Sequence, residues 1–513
     1  MNNITLYVDN VATTIDGKFP KGVYEEFKKE LGYIPENALW QARANPYFKG
    51  YFTCVCWNKD KCRCSIPKDG THFPTGLISK AIGFFALHNI PCSVIDLRDA
   101  NIAKSVREIP YTLTSTLNDG KPFSLFDYQK STIDKAISSQ RGIIKVATGG
   151  GKTVIASGII ANLGVKPTIF YVTSIDLLNQ AVSEITQYVR LNNLKITVGS
   201  IGGGNKKIGD ITVITIQSAM KALDAVYETY DEEDIKEEET EIDDIKKDIV
   251  ELIHSAKLII CDEVQHWAAK TCQTLADNSL GARWKYGLSA TPWRDKGDDI
   301  LIDACFGKTI VDINASFLIE RGFLVKPNIA FININNTKGH KFGPYPSVYK
   351  NALVENNYRN NIIAGLASSL KEKNRNVLIL IQQIVHGEIL EDLIEGSIFL
   401  HGKSGKARRK DHIEELRLGK PSITIASTIF DEGIDVKPLN SLILAGGGKS
   451  STRALQRVGR VIRNYTYPNG NKKEDAFVYD FHDVHKYLTD HSLARRKIYQ
   501  SEPLFDIQDF SLP

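Results

Sequence analysis

The sequence predicts an α/β protein in which two parallel-sheet domains in tandem follow a small N-terminal α+β domain. Short apolar runs such as Thr168–Val172 and Ile211–Thr215 alternate with segments of helical periodicity, and strands separated by helices imply parallel pairing. The same alternation restarts after Lys326-Pro327. At 513 residues there is room for about three domains of roughly 150 residues each. With 42% apolar and 24% charged residues, the chain has the composition of a folded globular protein. The expected divisions are 1–112, 113–324 and 325–513.

No run of eighteen apolar residues occurs, and Met1-Asn2-Asn3-Ile4-Thr5 begins no signal peptide. The expectation is a cytoplasmic chain without membrane contact, its eight cysteines reduced. The formal net charge is +4, yet the segment from Glu228 to Asp248 carries twelve Asp or Glu against three Lys. Its −9 leaves +13 on the remainder, and a basic body suits a polyanionic partner. The acidic insertion, with isoleucines at 235, 242, 245 and 249, reads as a solvated helix lengthening a loop. No catalytic role is assigned to it; it can repel nucleic acid or meet a protein partner.

In the N-terminal domain, Val23, Tyr24, Phe27 and Leu31 have helical spacing. Thr53–Trp57 and Cys62–Ile66 alternate with period two around Asn58–Lys61, which predicts a β-hairpin whose basic edge is Lys59, Lys61, Arg63 and Lys68. A helix is expected from Leu77 to Leu87 and a strand at Cys92–Ile95. The two Cys-x-Cys units put thiols on one face of each hairpin strand, so zinc is conceivable. Structural zinc more often uses Cys-x-x-Cys turns, which favours small buried side chains.

The second domain opens with a strand, a glycine turn and a helix: Gly142–Val146, then Ala147-Thr148-Gly149-Gly150-Gly151-Lys152-Thr153, then a periodic segment from Val154. Backbone N–H groups and a helix N-terminus suit such a turn to a phosphate. Lys152 can reach the β- and γ-phosphates and Thr153 can ligate Mg²⁺. Val146 stands where the strict pattern begins with glycine. Upstream, Gln129 heads a helix and has both a donor and an acceptor to offer adenine, with Phe126 available to cover the ring.

Further strands end in polar groups: Thr173 and Ser174, then Gly203 and Gly204 after Ile196–Val198 and a second β-α unit, then Thr215 and Gln217. Ligands gather at the carboxyl ends of parallel strands, so these residues are candidates for nucleic-acid phosphates; taken singly, ordinary loop polarity is the favoured explanation of each. The strand Lys257–Ile260 delivers Asp262 and Glu263. Two adjacent carboxylates at the end of a buried strand are costly without a cation and a task. Asp262 suits Mg²⁺, and Glu263 suits the water that attacks a γ-phosphate. Ser289 and Thr291, ending the next strand, are expected to touch His266.

The third domain has strands at Val377–Leu380, Ser397–Leu400, Ile423–Ala426 and Ser441–Ala445, and no second phosphate loop is expected. Its loops carry Gln382, Ser427 and Thr428 as DNA candidates and then Gly433 and Asp435. A helix from Thr452 to Ile462 would project Arg460 and Arg463 from one face, as arginine fingers require.

Six motifs in order, Leu-Phe-Asp-Tyr-Gln, Ala-Thr-Gly-Gly-Gly-Lys-Thr, Asp-Glu-Val-Gln-His, Ser-Ala-Thr-Pro-Trp-Arg, Gly433-Ile434-Asp435 and Gln-Arg-Val-Gly-Arg-Val-Ile-Arg, resemble a superfamily 2 helicase of the DExH type across residues 122 to about 485. The resemblance implies two RecA-like domains with ATP in their cleft and nucleic acid across their surface. It implies Lys152 and Thr153 on phosphate and Mg²⁺, Asp262 on Mg²⁺ and Glu263 as base. It further implies Arg460 and Arg463 on the γ-phosphate, Gly433 and Asp435 near the ribose, Gln129 on adenine, and His266, Ser289, Thr291 and Gln456 in coupling. Ile201-Gly202-Gly203-Gly204 and the N-terminal domain are similar to phage UvsW-type branch-migration helicases, which act on forks and junctions. Leu125-Phe126-Asp127 departs from the Leu-Arg-x-Tyr-Gln of many relatives. The resemblance thus implies an ATP-dependent DNA helicase acting on branched DNA. The alternatives are an RNA helicase, a restriction-type translocase, or a scaffold that holds ATP without hydrolysing it.

Overall fold

The computed structural model describes residues 3–56, 70–99, 112–114, 122–190, 196–231, 244–294, 296–334, 343–427 and 436–511. They form two compact units: residues 1–146 with 151–312, and residues 147–150 with 313–513. None of the described helices is long and apolar enough to cross a membrane.

In the first unit, the N-terminal residues build a four-stranded mixed sheet in the order His72–Pro74, Ala12–Asp16, Ile4–Val8, Cys92–Asp96. Helices Val23–Glu30 and Ile78–Leu87 follow the expected periodicity. Phe27 meets Phe73 and Phe84 edge-on and stacks on Phe85, and this core runs on into Ile300 and Ala304. The expected hairpin is only half described. Phe52–Thr53 pairs with Gly32–Tyr33, and Cys56 bridges His72. Cys54 and Cys56 form no disulfide among the described residues; Cys62, Cys64 and the basic edge at 59–68 lie outside them.

The larger sheet of this unit has eight strands: β1 Arg141–Val146, β2 Thr168–Val172, β3 Val198–Gly202, β4 Asn205–Lys207, β5 Ile211–Thr215, β6 Leu258–Asp262, β7 Trp284–Ser289 and β8 Thr309–Ile313. Their order is β4-β3-β5-β2-β6-β7-β1-β8. β2, β5 and β7 are buried along their whole length, as strands covered on both faces by helices must be. The expected β-α unit after Ile196 is corrected. The strand begins at Val198, after Thr197 has been tied to Asp210 at 2.8 Å, and it turns back through Gly203 and Gly204 into antiparallel β4. Both glycines have positive φ, 59° and 94°, the backbone that a two-residue hairpin turn demands. The acidic segment runs from the last turn of helix Ile216–Asp231 into the start of helix Asp244–Ser255, and residues 232–243 are outside the description.

The second unit has a seven-stranded sheet: β9 Pro327–Ile334, β10 Val377–Leu380, β11 Ser397–Leu400, β12 Ile423–Ala426, β13 Ser441–Ile443, β14 Ala476–Asp483 and β15 Asp506–Ser511, ordered β11-β12-β10-β13-β14-β9-β15. Its core includes Ile363, Ala367, Val377, Ile379, Leu390, Ile425 and Phe481. Arg359, fully buried, donates to Asp483 at 2.9 Å and to the Ala445 carbonyl at 2.8 Å while lying over the Phe481 ring.

Candidate active site

β1 ends at Val146, and helix α1, Lys152–Leu163, begins after the glycine turn. Gly151 takes φ 80°, and a Cβ there would come within 2.7 Å of Gln129 Nε2, so only glycine fits. Gln129 itself is turned inward: it is buried, and its Oε1 accepts from the Phe126 N–H at 3.0 Å. Phe126 is 40% exposed and stacks on Tyr128.

β6 carries Asp262 and Glu263 to the same end of the sheet. Glu263 Oε1 lies 3.6 Å from Lys152 Nζ. Burial first, and then the Glu263 charge, pushes the Asp262 carboxyl up to about 6, while Lys152 pulls it down. Its Oδ1 accepts from the Glu263 N–H at 3.0 Å. Glu263 adopts φ 50°, a left-handed conformation that disfavours a residue with a Cβ by roughly 1–2 kcal/mol. Strain of this kind persists only where neighbours hold it.

The neighbour is Gln265. Its Nε2 donates to Glu263 Oε2 at 2.9 Å, and its Oε1 accepts from Ser289 Oγ at 2.7 Å. Ser289 Oγ in turn accepts from the Thr291 N–H at 2.9 Å. Gln265 thus links Ser289 to Glu263, and His266 stands exposed on the same turn. Gln265 is not among the residues expected from the motifs to act at the site. Its signal was available: it sits two residues after the carboxylate pair, where a turn folds the side chain back.

Asp262 and Thr153 are oxygen donors of the kind Mg²⁺ prefers. Among the described residues no three His, Cys, Asp or Glu side chains converge on a metal. A Mg²⁺ at Asp262 would therefore take most of its oxygens from phosphate and water, which is how this ion is usually held.

In the second unit, helix α2 spans Ser451–Val461. Gly459 lies against the loop residue Thr148: a Cβ on Gly459 would stand 2.5 Å from the Thr148 Cβ. Arg460 is buried on this helix. Arg463 is not, contrary to the expected shared helical face. The helix stops at Val461 because Val325 N–H donates to the Ile462 carbonyl at 2.7 Å and Leu324 bridges Arg463. Arg463 still stays near the loop, its Cγ 3.7 Å from where a Gly149 Cβ would be.

The expected DNA residues divide. Gly203, Gly204 and Gln217 are exposed, and Thr173 and Gln382 are half-buried. Ser174 Oγ accepts from the Leu177 N–H and so caps a helix. Thr215 and Ser427 are buried. Thr215 Oγ1 donates to Ser218 Oγ at 2.8 Å and is committed to a helix start. Thr428, Gly433 and Asp435 lie outside the described residues. Gln456 is half-buried on α2.

Two family models match: "Type III restriction enzyme, res subunit" over residues 122–294 and "Helicase conserved C-terminal domain" over residues 358–465, together just over half of the chain. With this pair of domains the chain is a superfamily 2 helicase. More narrowly it resembles UvsW. The "ATP-dependent DNA helicase uvsW" of Enterobacteria phage T4 is 24% identical over 381 residues, covering 69% of this chain and 68% of that protein. The "DNA 3'-5' translocase XPB2" of Sulfurisphaera tokodaii is 24% identical over 451 residues, 79% of this chain and 93% of that one. Among solved structures, the DNA-bound type ISP restriction-modification enzyme LlaBIII shares the fold with a TM-score of 0.52 at 15% identity, over 77% of this chain and 32% of that one.

Proposed function

We propose that this chain is an ATP-dependent DNA helicase or translocase that unwinds or branch-migrates forked and junction DNA in replication, recombination and repair. The observation that carries the reading is Glu263, held in a strained backbone beside Lys152 and oriented by Gln265. A scaffold that only holds ATP has no use for a positioned base. The tripartite division at about 112 and 324 belongs to the same reading, as does an intracellular location.

In this reading Lys152 and the N–H groups of Thr148–Gly151 hold the ATP phosphates, and Thr153 and Asp262 hold Mg²⁺. The ion supplies charge neutralisation for the departing phosphate. Glu263 accepts a proton from the attacking water at a carboxylate oxygen. Arg460 and Arg463 offset the charge that spreads over the γ-phosphate, with Gly433 and Asp435 at the ribose. Gln265, Ser289 and Thr291 tie the base to the end of β7, where nucleic acid crossing Thr173, Gly203, Gly204, Gln217 and Gln382 would be felt. Relatives named as DNA helicase and DNA translocase support DNA as the track.

Phosphate release is to be measured with forked DNA, single-stranded DNA and RNA. The expected result is stimulation by DNA, strongest with forks, and its loss in Lys152→Ala without a change in melting temperature. Undiminished turnover in that variant would refute the assignment.

A further inference from the structure

The third domain was expected to lack a phosphate loop, yet Gly446-Gly447-Gly448-Lys449-Ser450 joins β13 to α2 with the same strand, glycine turn, Lys and hydroxyl order as the loop at Lys152. A cavity of about 370 Å³ opens there, within the size range of small-ligand sites. It sits at the point where the sheet changes direction. The chain leaving β10 crosses toward β12 and β11, and the chain leaving β13 crosses to β14 on the other side. Crevices at the carboxyl ends of two such strands are where open α/β sheets bind ligands.

The walls have the chemistry of a nucleotide site. Gln382, from the end of β10, donates to the Gly447 carbonyl at 3.1 Å, and Arg495 donates to the Gly448 carbonyl at 2.6 Å. The loop is thus fixed by its carbonyls. Gly448 has φ 115°, and a Cβ there would come within 2.6 Å of Gln382 Nε2. Arg495 is itself neutralised by buried Asp480, with contacts of 2.8 and 2.7 Å. Lys449, Arg453 and Arg457 also line the cavity, and none of the described lining residues is acidic. Opposite lies an aromatic wall: Tyr345 packs edge-on to Tyr487 at 5.9 Å and to His491 at 5.3 Å.

We propose that this cavity is a second nucleotide site, taking a phosphate group between the Gly447–Ser450 loop and the Arg453 and Arg457 guanidiniums, with the base against Tyr345, Tyr487 and His491. All of its lining residues belong to the second unit, so the site is independent of the helicase reading. The phosphate can belong to a free nucleotide or to the end of a strand.

The test uses the full chain carrying Lys152→Ala, titrated with pyrophosphate by calorimetry and with mant-ADP by fluorescence. One equivalent of each should bind. Adding Lys449→Ala and Arg453→Ala, both exposed positions, should weaken both ligands about tenfold or more, the scale of lost charge-assisted hydrogen bonds. Tyr487→Leu keeps the cations and should weaken mant-ADP but not pyrophosphate. No binding to the Lys152→Ala protein, or binding indifferent to these changes, overturns the proposal. Competition against mant-ADP by a 5′-phosphorylated oligo-dT alone identifies a strand end as the source; competition by neither the phosphorylated nor the unphosphorylated strand identifies a free nucleotide. Either result supports the site. Equal competition by both strands reveals a groove for strand backbone and overturns it.

Discussion

A carboxylate that must take a proton from water has to be held still, and Gln265 is the side chain that holds Glu263. Replacing Gln265 with Ala cuts the connection to Ser289 and leaves that buried hydroxyl without its acceptor. ATP turnover should fall about 10- to 100-fold, the usual effect of removing a partner that orients a catalytic group. The KM for ATP should change little, because Lys152 and the glycine loop are untouched. Phosphate release at varied ATP separates the two, and an equal loss of affinity would mark Gln265 as a folding residue instead. Gly459 makes a second case. Ala is the better helix former by about 1 kcal/mol, yet its methyl would meet Thr148. Gly459→Ala should therefore lose ATPase activity while circular dichroism shows the helix content intact.

Strands β1 and β7 lie in register with half-buried Arg141 beside fully buried Lys285, two cations on neighbouring strands. Burial first, and then the Arg141 charge, pushes the Lys285 ammonium down to about 7. The unfolded chain holds that proton to about pH 10. The folded state thus binds fewer protons between those limits, and the destabilisation by Lys285 is complete below about pH 7 and is relieved as pH rises. Lys285→Met should raise the melting temperature by several degrees at pH 6–7, and the gain should shrink toward pH 9; thermal melts at the two pH values check this. What could be read from sequence follows the same scale. The strand-loop-helix at Lys152 and the carboxylates after β6 are contiguous, so local pattern revealed them. The end of α2 was not legible, because it depends on Leu324 and Val325, far away in the chain, drawing Ile462 and Arg463 out of the helix. Likewise Gly203 and Gly204 looked like the end of a β-α unit, and only the pairing of β4 with β3 reveals a hairpin.

Each of the two units owns a hydrophobic core, so each should have its own unfolding transition. Arg359 identifies which is which. Its loss would leave Asp483 as an unpaired buried charge in the second unit, a change that costs about 3–5 kcal/mol. Calorimetry of Arg359→Ala should show one transition moved down and the other in place; a common shift would mean the chain melts as one. At the rim of the eight-stranded sheet, β4 presents Asn205, Lys206 and Lys207 to solvent. An open strand edge invites a foreign β-strand to add itself, and paired ammonium groups are a common deterrent. The same two charges would welcome a phosphodiester. A polyanion lying along that rim would cap it, so the protein should resist self-association best while its track is loaded and be most exposed to clumping when idle.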